Sequence, residues 1–261
     1  MEWIYDLFEF SKKYPMDFTQ MGFWVFFFIV YTGFAFVYKR LFVRNLFLFL
    51  VSCFFYYKTS GLFVMLLLFS TVTDFYFGRQ IDRSEHEGRR KLFVTLSVTL
   101  NLLVLSYFKY AYFFTDSYNT IFHTDHKVFN YLAYWGNGFH NKGYFSVDEI
   151  VLPVGISFYT FQTISYTVDI YRRKLKSLDS ILDFGLYVTF FPQLVAGPIV
   201  RAEEFVPQIL RPTQITQADF NKATYFIFKG LIKKMLFANF IATEFLDRVF
   251  EMPTMYSGFT N

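Results

Sequence analysis

Long apolar stretches separated by short charged ones dominate the chain, and only two of the apolar stretches carry a dense set of polar residues. Uncharged runs occupy Phe18 to Tyr38, Asn45 to Tyr57, Thr59 to Thr73, Leu92 to Phe108, Ile150 to Val168 and Phe184 to Val200. A helix needs roughly 17 to 25 apolar residues to cross a bilayer. The first, fourth, fifth and sixth runs reach that length, and the third reaches it only by carrying Asp74 at its end. Asn45 to Tyr57 is short, but Arg44 and Lys58 flank it, and long basic side chains can snorkel to the interfaces. The pattern predicts an all-α, polytopic membrane helix bundle that forms one domain over 1–261.

Two departures from plain spans refine that fold. Pro192 and the Gly197-Pro198 pair cannot all sit in one straight helix, because proline lacks an amide hydrogen and clashes with the carbonyl four residues back. The sixth run is therefore expected to break, either as a re-entrant hairpin around Gln193 and Gly197 or as a kinked span. From Phe220 to Phe250, Lys222, Lys229 and Lys233 fall on one face with Phe, Leu and Ile on the others, which predicts an interfacial amphipathic helix. Met1 to Gln20 mixes charged and apolar residues without a compact apolar core, so it reads as a short surface helix and not as a cleavable signal.

Composition supports lipid as the main solvent. Hydrophobic residues make up 54% of the chain and aromatic ones 24%, far from an ordinary soluble domain. The net charge of +4 has a topological explanation. If the first run crosses inward, the inside segments hold Lys39, Arg40, Arg44, Arg79, Arg83, Arg89, Arg90, Lys91, Arg172, Arg173, Lys174 and Lys176. The outside ones hold Lys12, Lys13, Lys58, Lys127 and Lys142, although the loop from Thr115 to Glu149 is the longest. This asymmetry places the amino terminus outside. No basic cluster interleaved with aromatics sits on a soluble domain, so nucleic acid is not an expected partner. The lone Cys53 lies in an apolar run and reads as buried filler.

Candidate chemistry lies in the last two runs. At 100 degrees per residue, Tyr159, Gln162, Tyr166, Asp169 and Arg173 share one helical stripe, and Ser165 flanks it. Polar residues in apolar helices either bond neighbouring helices or line a site. The stripe thus predicts interhelical glue, or a channel leading to an inner surface where Arg172, Arg173 and Lys174 attract an anion. Gln193 and Arg201 are the matching candidates in the sixth run. Asp74 and Lys109 are single charges near run ends, expected to snorkel or pair. His86, His123, His126 and His140 all lie outside the apolar runs, and the pair His123 and His126 lacks a third ligand, so no metal site is expected.

Leu152 to Gln162, Asp169 to Arg173 and Phe190 to Arg201, with Lys229 to Lys234 and Ala238-Asn239, resemble the signature blocks of membrane-bound O-acyltransferases. Their alginate O-acetyltransferase-like branch is the nearest, and strong similarity covers about 150 to 250. The resemblance implies transfer of an acetyl group from a thioester donor (acetyl-CoA or an acyl carrier) on the cytoplasmic side to an exported polysaccharide, through a tunnel in the bacterial inner membrane. It also implies soluble periplasmic acetyltransferases as companions. Tyr159, Gln162, Tyr166, Asp169, Arg173, Gln193 and Arg201 would line or support the tunnel. The family's buried catalytic histidine belongs to a later apolar helix, and no histidine of this chain matches it. The sequence therefore reads as an amino-terminal half that does not turn over alone. A non-catalytic scaffold or transporter-like component of polysaccharide export is the alternative.

Overall fold

The computed structural model describes residues 16, 18, 20–140, 146–194, 197–198, 200–212 and 215–252. Every regular element among them is helical: α1 (Met21–Val37), α2 (Leu41–Ser60), α3 (Val64–Arg83), α4 (Glu87–Phe122), α5 (Tyr131–His140), α6 (Ile156–Tyr171), α7 (Ile181–Thr189), the single-turn α8 (Phe191–Leu194), α9 (Ala202–Ile209), α10 (Gln217–Ile232) and α11 (Asp247–Glu251). Between the last two, Lys233–Asn239 and Ala242–Leu246 are wound as π-helix. The chain divides into two compact units, one of Met1–Met16 with Val30–Pro212 and one of Asp17–Ile29 with Thr213–Asn261. The surface helix expected before residue 20 falls almost wholly outside the described residues.

Two helical stretches, Leu41–Arg83 and Glu87–Phe122, are long and apolar enough to cross a membrane, and α1 is apolar but shorter. Large apolar side chains stand exposed along them, among them Phe36, Phe42, Leu50, Phe69 and Leu103. Such a surface suits lipid and not water, and with these spans it marks a membrane protein. The first stretch is broken at Gly61, whose φ of 63° and one-turn 3₁₀ segment Gly61–Phe63 separate α2 from α3. The sequence places the boundary between its second and third runs at Lys58, three residues earlier, so the break falls inside the third run.

Helix α4 differs from expectation. Its fourth run was expected to end at Phe108, with an outer loop from Thr115, yet the helix continues to Phe122. No glycine or proline interrupts 92–122, so nothing stops propagation. Its 36 residues extend about 54 Å at 1.5 Å per residue, well beyond a hydrocarbon core of about 30 Å. It ends at His123, which adopts the left-handed conformation (φ 51°) and returns its N–H to Asn119.

The core of the larger unit lies where α3, α4 and α6 meet, with α7 packed against α2 and α3. Tyr56, Leu67, Ile156, Tyr159, Tyr166, Ile170, Phe184 and Tyr187 form its centre. Close approach depends on missing side chains: a Cβ on Gly78 would meet the Tyr166 ring at 2.8 Å, and one on Gly185 would meet Phe49 at 2.8 Å. The sixth run is broken as expected. Helix α7 stops at Thr189, Phe190 is non-helical, and α8 supplies a single turn.

In the second unit the 217–251 stretch is helical throughout, and it buries none of its residues. A capping box starts it. The Asp219 N–H donates to the Thr216 hydroxyl (3.2 Å), while the Thr216 hydroxyl and N–H donate to the Asp219 carboxylate (2.7 and 3.0 Å). Those donors hold the Asp219 carboxyl below its usual range, so the cap is intact at neutral pH and is lost only as pH falls through and below the ordinary carboxylate range.

Gly155 opens α6 with φ +74°, and a Cβ there would lie 2.5 Å from the Leu194 carbonyl oxygen in α8. Gly155→Ala adds left-handed strain and a backbone clash together. It should destabilise the folded protein by about 2 kcal/mol or more, seen as a lower melting temperature in detergent; an unchanged melting temperature would refute this packing.

Candidate functional site

The break between α7 and α8 creates the chemical problem around which the candidate site is built. A helix end leaves carbonyls without i+4 donors. The donor due to the Tyr187 carbonyl is the Phe191 N–H, but that group turns to the Ser52 hydroxyl on α2 at 3.2 Å. Val188 would look to residue 192, which is proline and has no N–H. Tyr187 is fully buried, so water cannot fill the vacancy.

Glutamines fill it. The Gln162 side-chain amide donates to the Tyr187 carbonyl at 2.8 Å, and the Gln193 amide donates to the same oxygen at 2.9 Å. One comes from the middle of α6 and the other from α8, so a single carbonyl ties three helices together. The Tyr187 hydroxyl donates onward to the Val200 carbonyl at 3.1 Å. Gly197 then closes against the other end of the turn, donating its N–H to the Gln193 carbonyl at 3.0 Å.

Of the residues singled out in the sequence, Tyr159, Gln162 and Tyr166 are buried on α6. The Tyr166 hydroxyl accepts the Leu178 N–H at 2.9 Å, and the Tyr159 hydroxyl lies beside that of Tyr56 without a well-formed hydrogen bond. Asp169 is half-buried at the end of α6, Arg173 is exposed just beyond it, and Gln193 is half-buried. Arg201 is exposed at the first position before α9, and its side chain makes no capping hydrogen bond. The structure thus joins Gln162 to Gln193, while Asp169, Arg173 and Arg201 sit at element ends. Cys53 is half-buried. Among the described residues no cluster of potential metal ligands occurs.

Among the described residues the most buried charge is one whose partners the sequence did not disclose. Asp74, expected to snorkel or pair, is 1% exposed at the crossing of α3, α4 and α6. Its carboxylate accepts from the Ser97 hydroxyl (2.7 Å) and from the Asn101 amide (2.9 Å to each oxygen). The Thr163 hydroxyl donates to the Asn101 carbonyl oxygen at 3.3 Å, and Ser97 lies 3.3 Å from the Thr167 hydroxyl. The available signal was spacing: Ser97 and Asn101 are four apart on α4, as are Thr163 and Thr167 on α6.

A buried cation also escaped notice as structure. Arg44 is 2% exposed, donates to the Asn45 side-chain oxygen and to the Ile209 and Arg211 carbonyls, and thereby fixes the end of α9 to the start of α2. The Asn45 amide completes the knot by donating to Asp183 on α7 at 2.7 Å.

Compared with known proteins, the chain is 32% identical over 216 residues to a probable alginate O-acetylase of Pseudomonas aeruginosa, covering 82% of this chain and 38% of that protein. A probable alginate O-acetylase of Azotobacter vinelandii is 34% identical over 203 residues, covering 76% of this chain and 37% of its own length. A peptidoglycan O-acetyltransferase of Helicobacter pylori is 30% identical over 239 residues, covering 82% of this chain and 42% of the relative. The chain therefore spans about two fifths of the length of these relatives. No family model matches it, and no solved structure does.

The shared carbonyl makes a specific prediction. Gln162→Leu or Gln193→Leu alone leaves Tyr187 one donor and should cost about 0.5 kcal/mol, the usual scale for such bonds in membrane bundles. Replacing both orphans a buried carbonyl and should cost about 2 kcal/mol. A double-mutant cycle on unfolding free energy that comes out additive would show that the two amides do not share a partner.

Proposed function

Because the chain belongs to the membrane-bound O-acyltransferase family, in its alginate O-acetylase-like branch, we propose that it supplies helical framework to an enzyme that moves an acetyl group from a thioester donor to hydroxyls of an exported polysaccharide. One observation carries this reading. Relatives named for two different polymers, alginate and peptidoglycan, match the chain at similar identity over similar shares of its length. What they have in common is acetyl transfer to a sugar hydroxyl, so the common segment serves that step and not the choice of polymer.

In this reading Gln162 and Gln193 brace the wall of a passage, and Tyr159 and Tyr166 pack beside them. The break at Phe190 to Pro192 shapes a re-entrant turn. Asp169, Arg173 and Arg201 stand at its ends. The thioester donor, acetyl-CoA or an acyl carrier, is met on the cytoplasmic side, where the basic ends of α3, α4 and α6 lie. The acceptor is met on the other side, with soluble periplasmic acetyltransferases as companions. The 217–251 helix lies in the membrane interface, where its lysines reach headgroups while Phe220, Ile227 and Phe228, all exposed, enter the acyl boundary. Acyl transfer further requires a base at the attacking hydroxyl and donors for the oxyanion, and the family resemblance assigns the base to a histidine within an apolar helix.

Deleting the gene should strip base-labile acetate from the envelope polysaccharide of the cell that carries it, and supplying the gene should restore it. The paired Gln162→Leu/Gln193→Leu change should lower restoration at least severalfold. Unchanged acetate in the deletion strain would end the proposal and favour a scaffold.

Topology is tested separately. In a Cys53→Ala background, a cysteine at exposed Lys127 should react with an impermeant thiol reagent on intact spheroplasts, and one at exposed Arg89 should react only after lysis. The reverse pattern would place the amino terminus inside.

A further inference from the structure

One end of the bundle, where α3, α4 and α6 meet the α6–α7 turn, carries exposed cations on a firmly held backbone. Helix α6 finishes in a Schellman turn: the Arg173 N–H returns to the Ile170 carbonyl at 3.0 Å, and the Lys174 N–H returns to the Asp169 carbonyl at 3.0 Å. Such a turn requires one residue in the left-handed region, and glycine is the residue that adopts it without strain. Here it is Arg173, at φ 59°.

The turn is fixed from several sides. Buried Arg90 on α4 donates to the carbonyls of Ile81 (2.6 Å), Ile170 (3.0 Å) and Tyr171 (2.8 Å), drawing the ends of α3 and α6 onto one guanidinium. The Asp82 carboxylate accepts both the N–H and the hydroxyl of Ser177 at 3.0 Å, and the Tyr166 hydroxyl takes the Leu178 N–H. Between these pins Arg172, Arg173 and Lys174 are exposed. None of them joins an ion pair; among the described residues the ion pair is Arg248 with Glu244. A helix dipole favours a cation at this end, and Arg172 at the C-cap already supplies one. The dipole does not account for a guanidinium at the glycine position.

We propose that the α6–α7 turn is a phosphate-binding site, with Arg173 as its anchor and Arg172 and Lys174 completing it. A guanidinium held on a pinned backbone offers a planar fork that matches two phosphate oxygens at once, and three unpaired cations on adjacent residues supply the charge for a monoester or diester. Two sources present that chemistry: the headgroup of an anionic phospholipid beside the bundle, and a soluble phosphate ester. Only the second rests on the acyl-transfer reading, where it would belong to the donor.

The test reads binding, so it stands or falls independently of acetylation. The protein is reconstituted in phosphatidylcholine vesicles, and its unfolding temperature is measured alone, with phosphatidylglycerol added to the bilayer, or with inorganic pyrophosphate in solution. At least one anion should raise it, and which one identifies the source. Arg173→Gly should relax the turn and unfold at a higher temperature in pure phosphatidylcholine, yet its affinity for the active anion should fall about tenfold, as expected for loss of a charge-assisted contact. Arg89→Gln removes the same charge from the first turn of α4 and should respond as the unaltered protein does. If neither anion shifts the unaltered protein, the site does not exist. If Arg173→Gly still responds fully, or Arg89→Gln loses the response equally, only general charge is at work and the proposal fails.

Discussion

A helix that stops inside an apolar bundle exposes carbonyl oxygens to surroundings that cannot hydrogen-bond them, and the packing around Phe190 is organised by that constraint. An unsatisfied buried carbonyl costs on the order of 1 to 3 kcal/mol, and no water reaches fully buried Tyr187. The chain answers with side chains borrowed from neighbouring elements: Gln162 and Gln193 for the Tyr187 carbonyl, and Ser52 for the displaced Phe191 N–H. Because these partners lie on α2, α6 and α8, the break becomes a point of cross-linking instead of weakness. Irregular backbone of this kind is tolerated in membrane proteins where protein or a cavity covers it, which is also where membrane enzymes place their chemistry.

The same solution recurs at the other buried polar sites. Arg44 satisfies carbonyls at the end of α9, Arg90 satisfies carbonyls of α3 and α6, and Asn101 with Ser97 surrounds the Asp74 carboxylate. Each knot joins elements distant in sequence. Among apolar helices in lipid, dispersion and such bonds replace the hydrophobic effect as the source of specificity. The bundle is thus held in register by a few polar contacts while its lipid-facing surface remains a nearly uniform field of Phe and Leu.

The sequence disclosed the helices well where composition alone decides them. Proline chemistry located the break in the sixth run, and the pattern after Phe220 anticipated a helical stretch, whereas the break at Gly61 falls three residues past Lys58, the boundary between the second and third runs. The α6 stripe puts Gln162 on the face that the helix buries, because a 100-degree advance needs no tertiary knowledge, while Asp169 and Arg173 on the same stripe emerge at the helix end. What stayed hidden depended on partners. Asp74 is indistinguishable from a snorkelling end-charge until Ser97 and Asn101 are brought over it by α4. Gln162 and Gln193 lie 31 positions apart, and only the path of α7 shows that they meet at one oxygen. The run-on of α4 to Phe122 is hidden because Lys109 ends the uncharged run without ending the helix, which only glycine, proline or a cap would do.

The most direct test is the state of the Tyr187 carbonyl itself. Isotope labelling of that single C=O as ¹³C=¹⁸O moves its amide I band clear of the rest in the infrared spectrum of the reconstituted protein. The band should sit at the low frequency of a carbonyl that accepts two hydrogen bonds, and it should rise in steps as Gln162 and then Gln193 are replaced by leucine. A band at the frequency of a free carbonyl in the unaltered protein, or one that ignores both substitutions, would contradict the account.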